Sequence, residues 1–371
     1  MLWRLKKCLY GLNDASRMWY FAVYEKLISL NCLRLSIDYA LFIWFDDKKN
    51  LSGLIEVHVD DMIWIGTKLF AIFVIAPLCS AFQMGSRSKT EFDYLGLHVC
   101  QSQNGITLDQ IEYIDSITPI VLSRQRQTAK QDFCDGSESK LFRQLVGKLN
   151  WISSQSRPDI AFDVCSLSSV MKTPKISDIV TANKILRRIK EQPLKIMFPG
   201  LTDLNDIQLV CYSDASLANL PSGRSSEGYV IFAATSSRCC PILWKSNTIK
   251  RVVRSTLAAE TSAMVDALDA SYFVAAVLSE VLSGHPVCKQ ISFPIIAFTD
   301  NESLHRNAYS TTLVDEYRLR IDLGIVKEHI EKGNITKLNW VPKSEQLADC
   351  LTKHSANPLH LTRVFENGCF T

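Results

Sequence analysis

No apolar stretch in these 371 residues is long enough to cross a bilayer. The longest uncharged apolar run, LFAIFVIAPLCSAF at 69–82, is 14 residues with Pro77 inside it, against about 20 for a membrane helix, so it reads as a buried helix. The N-terminal MLWRLKKCLYGL is interrupted by Arg4, Lys6 and Lys7 and lacks the apolar core of a secretion signal. Twelve cysteines are scattered singly apart from Cys239-Cys240, without a CxxC pair. That argues against a zinc ribbon or a disulfide framework and suits a reducing, cytoplasmic setting. No GxGxxG or GxxxxGK[ST] follows a strand, which argues against dinucleotide and P-loop enzymes. Internal repeats and low-complexity segments are lacking too. A formal net charge of +3 permits a polyanionic partner without demanding one. With 47% hydrophobic and 21% charged residues, the chain is of ordinary globular composition and long enough for two or three domains.

Three regions separate. From residue 1 to about 125, helical periodicity in WYFAVYEKLISL alternates with strands in YALFIWF, LIEVHV, MIWIG, YLGLHV and ITLD. Residues 126–205 are mostly helical, through FRQLVGKLNWISS, AFDVCSLSSVM and IVTANKILRRIKE, and end in QPLKIMFPGLTDLND, a linker or an interdomain strand and turn. From 206 to 371 the order is strands (IQLVCYSD, GYVIFAA, PILWKS), a long helix over 257–282, a strand (PIIAFTD), helices, a strand (ITKLNWV) and a helix (EQLADCLTK). The fold class is α/β.

In VHVDDMIW, residues 57–64, Ile55, Val57 and Val59 alternate with Glu56 and His58, and alternation resumes from Met62 to Ile65. Two strands meeting at Asp60-Asp61 make a hairpin that exposes both carboxylates, a pair suited to Mg²⁺. Read by itself, the pair is more simply an ordinary hairpin turn, where Asp is common.

The C-terminal region holds four acids at four element ends. Asp214 ends an apolar strand, Glu260 lies near the start of the long helix, Asp300 ends another strand and Asp349 begins a helical turn. Each singly is a turn or dipole residue. As an ordered strand, helix, strand, helix set they match the way ribonuclease H folds gather four carboxylates round two Mg²⁺ ions for in-line phosphodiester cleavage.

LKKCLYGLNDASRMWY (5–20), VHVDDM (57–62), FDYLGLHV (92–99) and QLVGKLNWISSQSRPDIAFDV (144–164) occur in this order and closely resemble the reverse transcriptase of Ty1/copia-type retrotransposons. The resemblance implies a polymerase palm over 1–125, with Asp60 a metal ligand, Asp61 its partner, and the segment from Gly11 to Arg17 near nucleotide and template. A further palm aspartate and the fingers lie upstream in that family, so this chain is expected to hold a truncated palm without independent DNA synthesis. Residues 126–205 would be thumb and connection, with Arg157-Pro158-Asp159 on structural duty, Pro158 starting a helix.

YSDAS, RSSEGYV, STLAAE, TDN and WVPKSEQLADCLTK likewise resemble the ribonuclease H that follows reverse transcriptase in the same polyproteins, over about 206–356. Residue by residue, that makes Asp214, Glu260, Asp300 and Asp349 ligands of Mg²⁺, with Mn²⁺ a possible substitute. His354 is expected at the surface. Lys245, Lys250, Arg251 and Arg254, in WKSNTIKRVVR ahead of Glu260, are candidate contacts to the phosphates of an RNA:DNA hybrid. LRRIK at 186–190 is a second basic cluster, and Trp19 and Trp151 read as core. The fold expected is a polymerase palm remnant followed by a ribonuclease H-like mixed sheet with flanking helices. Its partners would be hybrid, template and primer, and the rest of a Pol polyprotein, with no membrane. The competing reading is a binding remnant without turnover, from a decaying or domesticated element.

Overall fold

The computed structural model describes residues 11–82, 84–85, 87–201, 206–221, 223–286 and 293–370. The part of the LYGL block before Gly11 lies outside them. The chain divides into two compact units, residues 1–89 with 273–292 and residues 90–272 with 293–371. The fold is mixed α/β, as expected.

In the first unit the helix Ala15–Ser29 leads into an antiparallel sheet of β1 (Leu33–Arg34), β2 (Leu41–Phe45), β3 (Leu51–His58) and β4 (Asp61–Gly66), paired in that order. Val23 and Leu27 of the helix meet Phe42, Ile55 and Val57 of the sheet. A Cβ on Gly53 would lie 2.1 Å from the Phe70 ring and one on Gly66 2.6 Å from it, so the two glycines clear a seat for that side chain. Phe70 ends the first turn of a helical segment, Lys68–Phe70, Ala71–Ile75 and Ala76–Phe82, whose middle part is π-wound. Pro77 follows that wider turn; it has no N–H to give and its ring crowds the carbonyl four residues back. The segment is not buried all round as its composition suggested. Phe70, Val74 and Leu78 are buried, while Leu69, Ile72 and Phe73 are about half exposed. One face therefore covers the sheet and the other does not. The last turns of the helix Thr256–Ser283 also belong here, with Val281 against Leu35 and Ile43. The Glu280 carboxylate accepts from the Ser36 backbone N–H at 2.6 Å and its hydroxyl at 3.0 Å.

The second unit begins with β5 (Glu91–Tyr94), β6 (Leu97–Ser102) and β7 (Gly105–Asp109), joined by β8 (Ile196–Phe198) in one antiparallel sheet. YLGLHV is thus not one strand. Leu95 and Gly96 both take positive φ, +51° and +75°, and turn the chain back as a two-residue hairpin. The stretch read as linker or strand supplies β8. Helices Gly136–Gln155, Ala161–Ser169 and Ile176–Glu191 bury Phe142, Leu145, Leu149, Ile179, Ile185 and Ile189 together. Asp135 and Glu138 cap the first of these reciprocally. Trp151 corrects an expectation: between core positions 149 and 152 it falls on the outer side of its helix and is 38% exposed. Trp19, in the first unit, does pack against the core there.

Arg157 is buried and makes two parallel bonds of 2.8 Å to the Asp159 carboxylate. Its remaining nitrogen donates to the carbonyls of Ile189 and Gln192 at the end of the helix Ile176–Glu191. Pro158 opens a 3-10 turn, Pro158–Ile160, before the helix Ala161–Ser169.

A five-stranded sheet completes the unit: β9 (Gln208–Ser216), β10 (Ser226–Ala234), β11 (Cys239–Thr248), β12 (Ile295–Thr299) and β13 (Lys337–Trp340), in the order β11-β10-β9-β12-β13. β9 to β11 are antiparallel neighbours, whereas β12 runs parallel to both β9 and β13. Ala259 and Ala263 of the helix Thr256–Ser283 pack with Ala215 and Ile249. Val210, Val230 and Phe232 pack with Leu351, Leu361 and Phe365, the last two from an unanticipated helix, Leu359–Asn367. The helix expected over EQLADCLTK is instead two 3-10 turns, Lys343–Glu345 and Asp349–Leu351. Tertiary bonds override helical spacing there: the Gln346 amide donates to Ser213 O at 3.0 Å, and Thr352 O accepts from Asn219 at 2.7 Å and Ser226 at 3.0 Å. Among the described residues no helix is long and apolar enough to cross a membrane.

Candidate metal centre

Parallel pairing sets two of the four acids side by side. Tyr212 on β9 is opposite Phe298 on β12. Asp214 and Asp300, two residues further along each chain, therefore emerge on one face at one level. The turn at Asp349 is held against the same edge by Gln346 on Ser213 O. Asp214, Asp300 and Asp349 each offer an oxygen, and the three lie within 4.8 Å of one another. Trp340 donates its indole N–H to Asp300 O at 3.0 Å, fixing that strand end.

Asp214 is fully buried. Burial pushes its carboxyl up to about 7, with Asp300 and Asp349 adding to the rise and Lys353 and Thr352 opposing it. The Thr352 hydroxyl donates to Asp214 Oδ2. Lys353 Nζ stands 3.3 and 3.2 Å from the two Asp214 oxygens and also bonds Asp349 Oδ1. Glu260 is 4% exposed. Burial first, then Asp214 and Asp300, raise it well above the ordinary carboxylate range. Its Oε2 is buried without a hydrogen-bond partner. Glu260 thus shares the field of the cluster while its oxygens stay outside the 4.8 Å set.

A desolvated carboxylate group with an orphaned oxygen is unfavourable unless cations compensate it. All its donors are hard oxygens, which fit a hard divalent cation.

The first unit's acid pair is arranged differently. The last ladder pair is His58 with Asp61, so the two-residue turn is Val59-Asp60, one position earlier than expected. Val59 takes φ +53°, which a β-branched residue rarely adopts, and its carbonyl accepts the Trp19 indole N–H. Asp60 and Asp61 are exposed. Among the described residues no third carboxylate, histidine or cysteine joins them as a metal-sized group.

Lys245, Lys250, Arg251 and Arg254 are exposed on β11 and the loop after it, and Arg17 on the first helix. Lys245 lies over the Tyr229 ring, 6.0 Å from its centroid. Arg251 makes a two-point bond to the Asp322 carboxylate, so much of its charge is directed into the fold. His354 is at the surface, and its Nδ1 lies 2.7 Å from Asp163 Oδ1.

Residues 1–124 match the family model described as reverse transcriptase (RNA-dependent DNA polymerase). Over nearly its whole length the chain is similar to transposon Pol polyproteins. It is 25% identical over 378 residues to the retrovirus-related Pol polyprotein from transposon RE1 of Arabidopsis thaliana, covering 98% of this chain and 24% of that one. A putative transposon Ty5-1 protein of Saccharomyces cerevisiae is 25% identical over 269 residues, 68% of this chain and 83% of that one. The chain spans about a quarter of the length of the two plant polyproteins from RE1 and RE2. The Ty1/copia resemblance drawn from the motifs is upheld. Solved structures with some likeness include ribonuclease H1 from Halobacterium salinarum, 18% identical over 39% of this chain and 94% of that one, TM-score 0.30. Another is the foamy viral protease-reverse transcriptase in complex with RNA/DNA hybrid, 12% identical over 94% of this chain and 41% of that one, TM-score 0.48.

Three contributors carry no role in the motif reading. Lys353 is quoted in LTK, and its i+4 spacing from Asp349 is the signal that pairs them. Gln346 and Gly228 are legible only once β9 and β10 lie beside the turn.

Proposed function

We propose that this chain is a piece of a retrotransposon Pol polyprotein whose residues 206–371 hydrolyse the RNA strand of RNA:DNA hybrids. Residues 1–125 would derive from a polymerase palm, with Asp60 and Asp61 its hairpin acids and Arg17 near template. Residues 126–205 would be thumb and connection. The observation that carries the reading is the convergence of Asp214, Asp300 and Asp349 within 4.8 Å beside the orphaned oxygen of Glu260. The four acids would hold two Mg²⁺ ions. Such ions, when bound, activate a water and stabilise the leaving oxygen of an in-line displacement.

The chain's own groups do the rest. Gln346 and Trp340 fix the backbone beside the acids, and Thr352 orients Asp214 by donating to it. Lys245, Lys250, Arg254 and, to a lesser degree, Arg251 would attract phosphates ahead of Glu260, with the hybrid told from DNA by groove shape and 2′-hydroxyls.

The test is cleavage of an end-labelled RNA strand in an RNA:DNA hybrid by the full chain, with Mg²⁺ or Mn²⁺, beside Asp300→Asn. Cutting that the variant loses supports the reading. A folded parent that binds hybrid and leaves it intact favours a binding remnant instead.

A further inference from the structure

The Lys353 ammonium lies between two of the acids assigned above to metal, within 3.3 Å of both Asp214 oxygens and bonded to Asp349 Oδ1. We propose that Lys353 is a tethered counter-ion, which holds Asp214 and Asp349 together before a divalent cation arrives and must give way when one enters. The inference rests on the metal-site reading of these acids.

Four features support it. Lys353 spans the junction of the site: Asp214 belongs to β9 and Asp349 to a separate turn, and this one side chain bonds both. It is partly exposed, at 24% of its side chain, so a path outward exists. Its neighbour Thr352 is anchored independently, the carbonyl by Asn219 and Ser226 and the hydroxyl on Asp214. The backbone can thus stay in place while the lysine side chain swings away. Finally, a monovalent ammonium leaves the buried Glu260 Oε2 without a partner, so the lysine compensates the cluster incompletely and leaves work for a second cation.

A positive charge fixed between two metal ligands repels an arriving divalent ion and shares its ligands. Replacing Lys353 by an uncharged residue should therefore strengthen metal binding, whereas loss of a merely structural residue would weaken it or leave it unchanged. That opposite sign makes the test.

Mn²⁺ binding to the full chain, without nucleic acid, is read by electron paramagnetic resonance for the parent, Lys353→Met and Lys353→Arg. The expected result is Mn²⁺ affinity raised about tenfold in K353M and near parental in K353R, which keeps the charge. Equal or weaker binding by a folded K353M overturns the inference and leaves the metal site standing. No Mn²⁺ bound by parent or variants overturns the metal-site reading and this inference with it. A second measurement uses the parent alone, in case K353M does not fold. Acetylation of Lys353 by acetic anhydride, followed by mass spectrometry, should increase severalfold on adding Mg²⁺ as the amine is released. Labelling unchanged by Mg²⁺ overturns the inference.

Discussion

Gly228 lies under Leu351: a Cβ on Gly228 would come 2.6 Å from Leu351 Cβ and 3.1 Å from Leu351 O. The 3-10 turn that presents Asp349 therefore rests on the bare backbone of β10, directly opposite Asp214 in the β9 ladder. Gly228→Ala should lift that turn and separate Asp349 from Asp214 and Asp300. Overpacking of this kind costs about 1–3 kcal/mol. Hybrid cleavage should fall at least about tenfold, because displacing a reacting group by about 1 Å is costly. Melting and cleavage measured together decide it, and parental cleavage by G228A would show that the turn position is immaterial.

Glu260 sits at the opposite balance, with a buried Oε2 that no group satisfies and an ionised form disfavoured by burial, Asp214 and Asp300. Glu260→Gln removes the charge and keeps the shape. At about pH 8 and without metal the variant should melt higher than the parent, by about 1–3 kcal/mol of stability. Added Mg²⁺ should stabilise the parent more than the variant, and hybrid cleavage by the variant should be lost. Thermal melts with and without Mg²⁺ read both effects. A variant less stable than the parent in metal-free buffer would mean that the carboxylate is well accommodated as it stands.

Much of this was legible in the sequence because the signals were local. Apolar runs located β9, β10 and β12, and Asp214 and Asp300 were visible as acids that interrupt or follow two of those runs. Where the sequence misled, a non-local contact had decided the structure. EQLADCLTK has helical spacing, but Gln346 on Ser213 and Leu351 on Gly228 bend it into short turns. LG in YLGLHV looks like the middle of a strand, yet Leu95 and Gly96 both adopt positive φ. The run at 69–82 has uniform apolar composition, and only the seat that Gly53 and Gly66 leave for Phe70 tells which face is covered. Lys353 needed two elements in place before it could be seen to bridge them.

Glu227 on β10 and Asp266 on the helix Thr256–Ser283 make another acid pair. Burial first, then Asp266, push Glu227 from its ordinary 4.5 up to about 7, while Ser262 and Lys245 oppose the rise. The folded chain thus holds this proton more tightly than the unfolded one. The stability that the proton contributes is complete below about pH 4.5 and is lost as pH rises through about 7. Glu227→Gln fixes the neutral form. Its melting temperature should match the parent near pH 4 and exceed it near pH 8, by the equivalent of about 1–2 kcal/mol. A pH series of melts decides it, and a difference independent of pH would remove the carboxyl's titration from the account.

The RPDI segment carries a stability prediction free of any catalytic assumption. Arg157 is 2% exposed and joins Asp159 to the last carbonyls of the helix Ile176–Glu191. Arg157→Ala leaves Asp159 charged and buried, and two helix-end carbonyls without their donor. Breaking a buried pair from one side costs about 3–5 kcal/mol. Arg157→Lys should recover little, because an ammonium cannot reproduce the two parallel bonds. Urea melts of the three proteins test this. Near-parental stability of R157A would mean that water replaces the guanidinium at low cost.

The basic stretch ahead of Glu260 can be sorted by salt. Lys250 and Arg254 are exposed beside the helix that carries Glu260, whereas Arg251 is tied to Asp322. If the first two meet phosphates, Lys250→Ala and Arg254→Ala should each flatten the plot of log affinity for hybrid against log salt by about 0.9. Arg251→Ala should flatten it less and instead lower the melting temperature, because Asp322, 7% exposed, loses its partner. Fluorescence anisotropy with a labelled hybrid, repeated over several salt concentrations, supplies the slopes. Equal flattening by all three variants would mean that Arg251 leaves Asp322 for the nucleic acid. Unchanged slopes for Lys250 and Arg254 would move the phosphate contacts elsewhere on the surface, with the exposed Arg187 in LRRIK the next residue to replace.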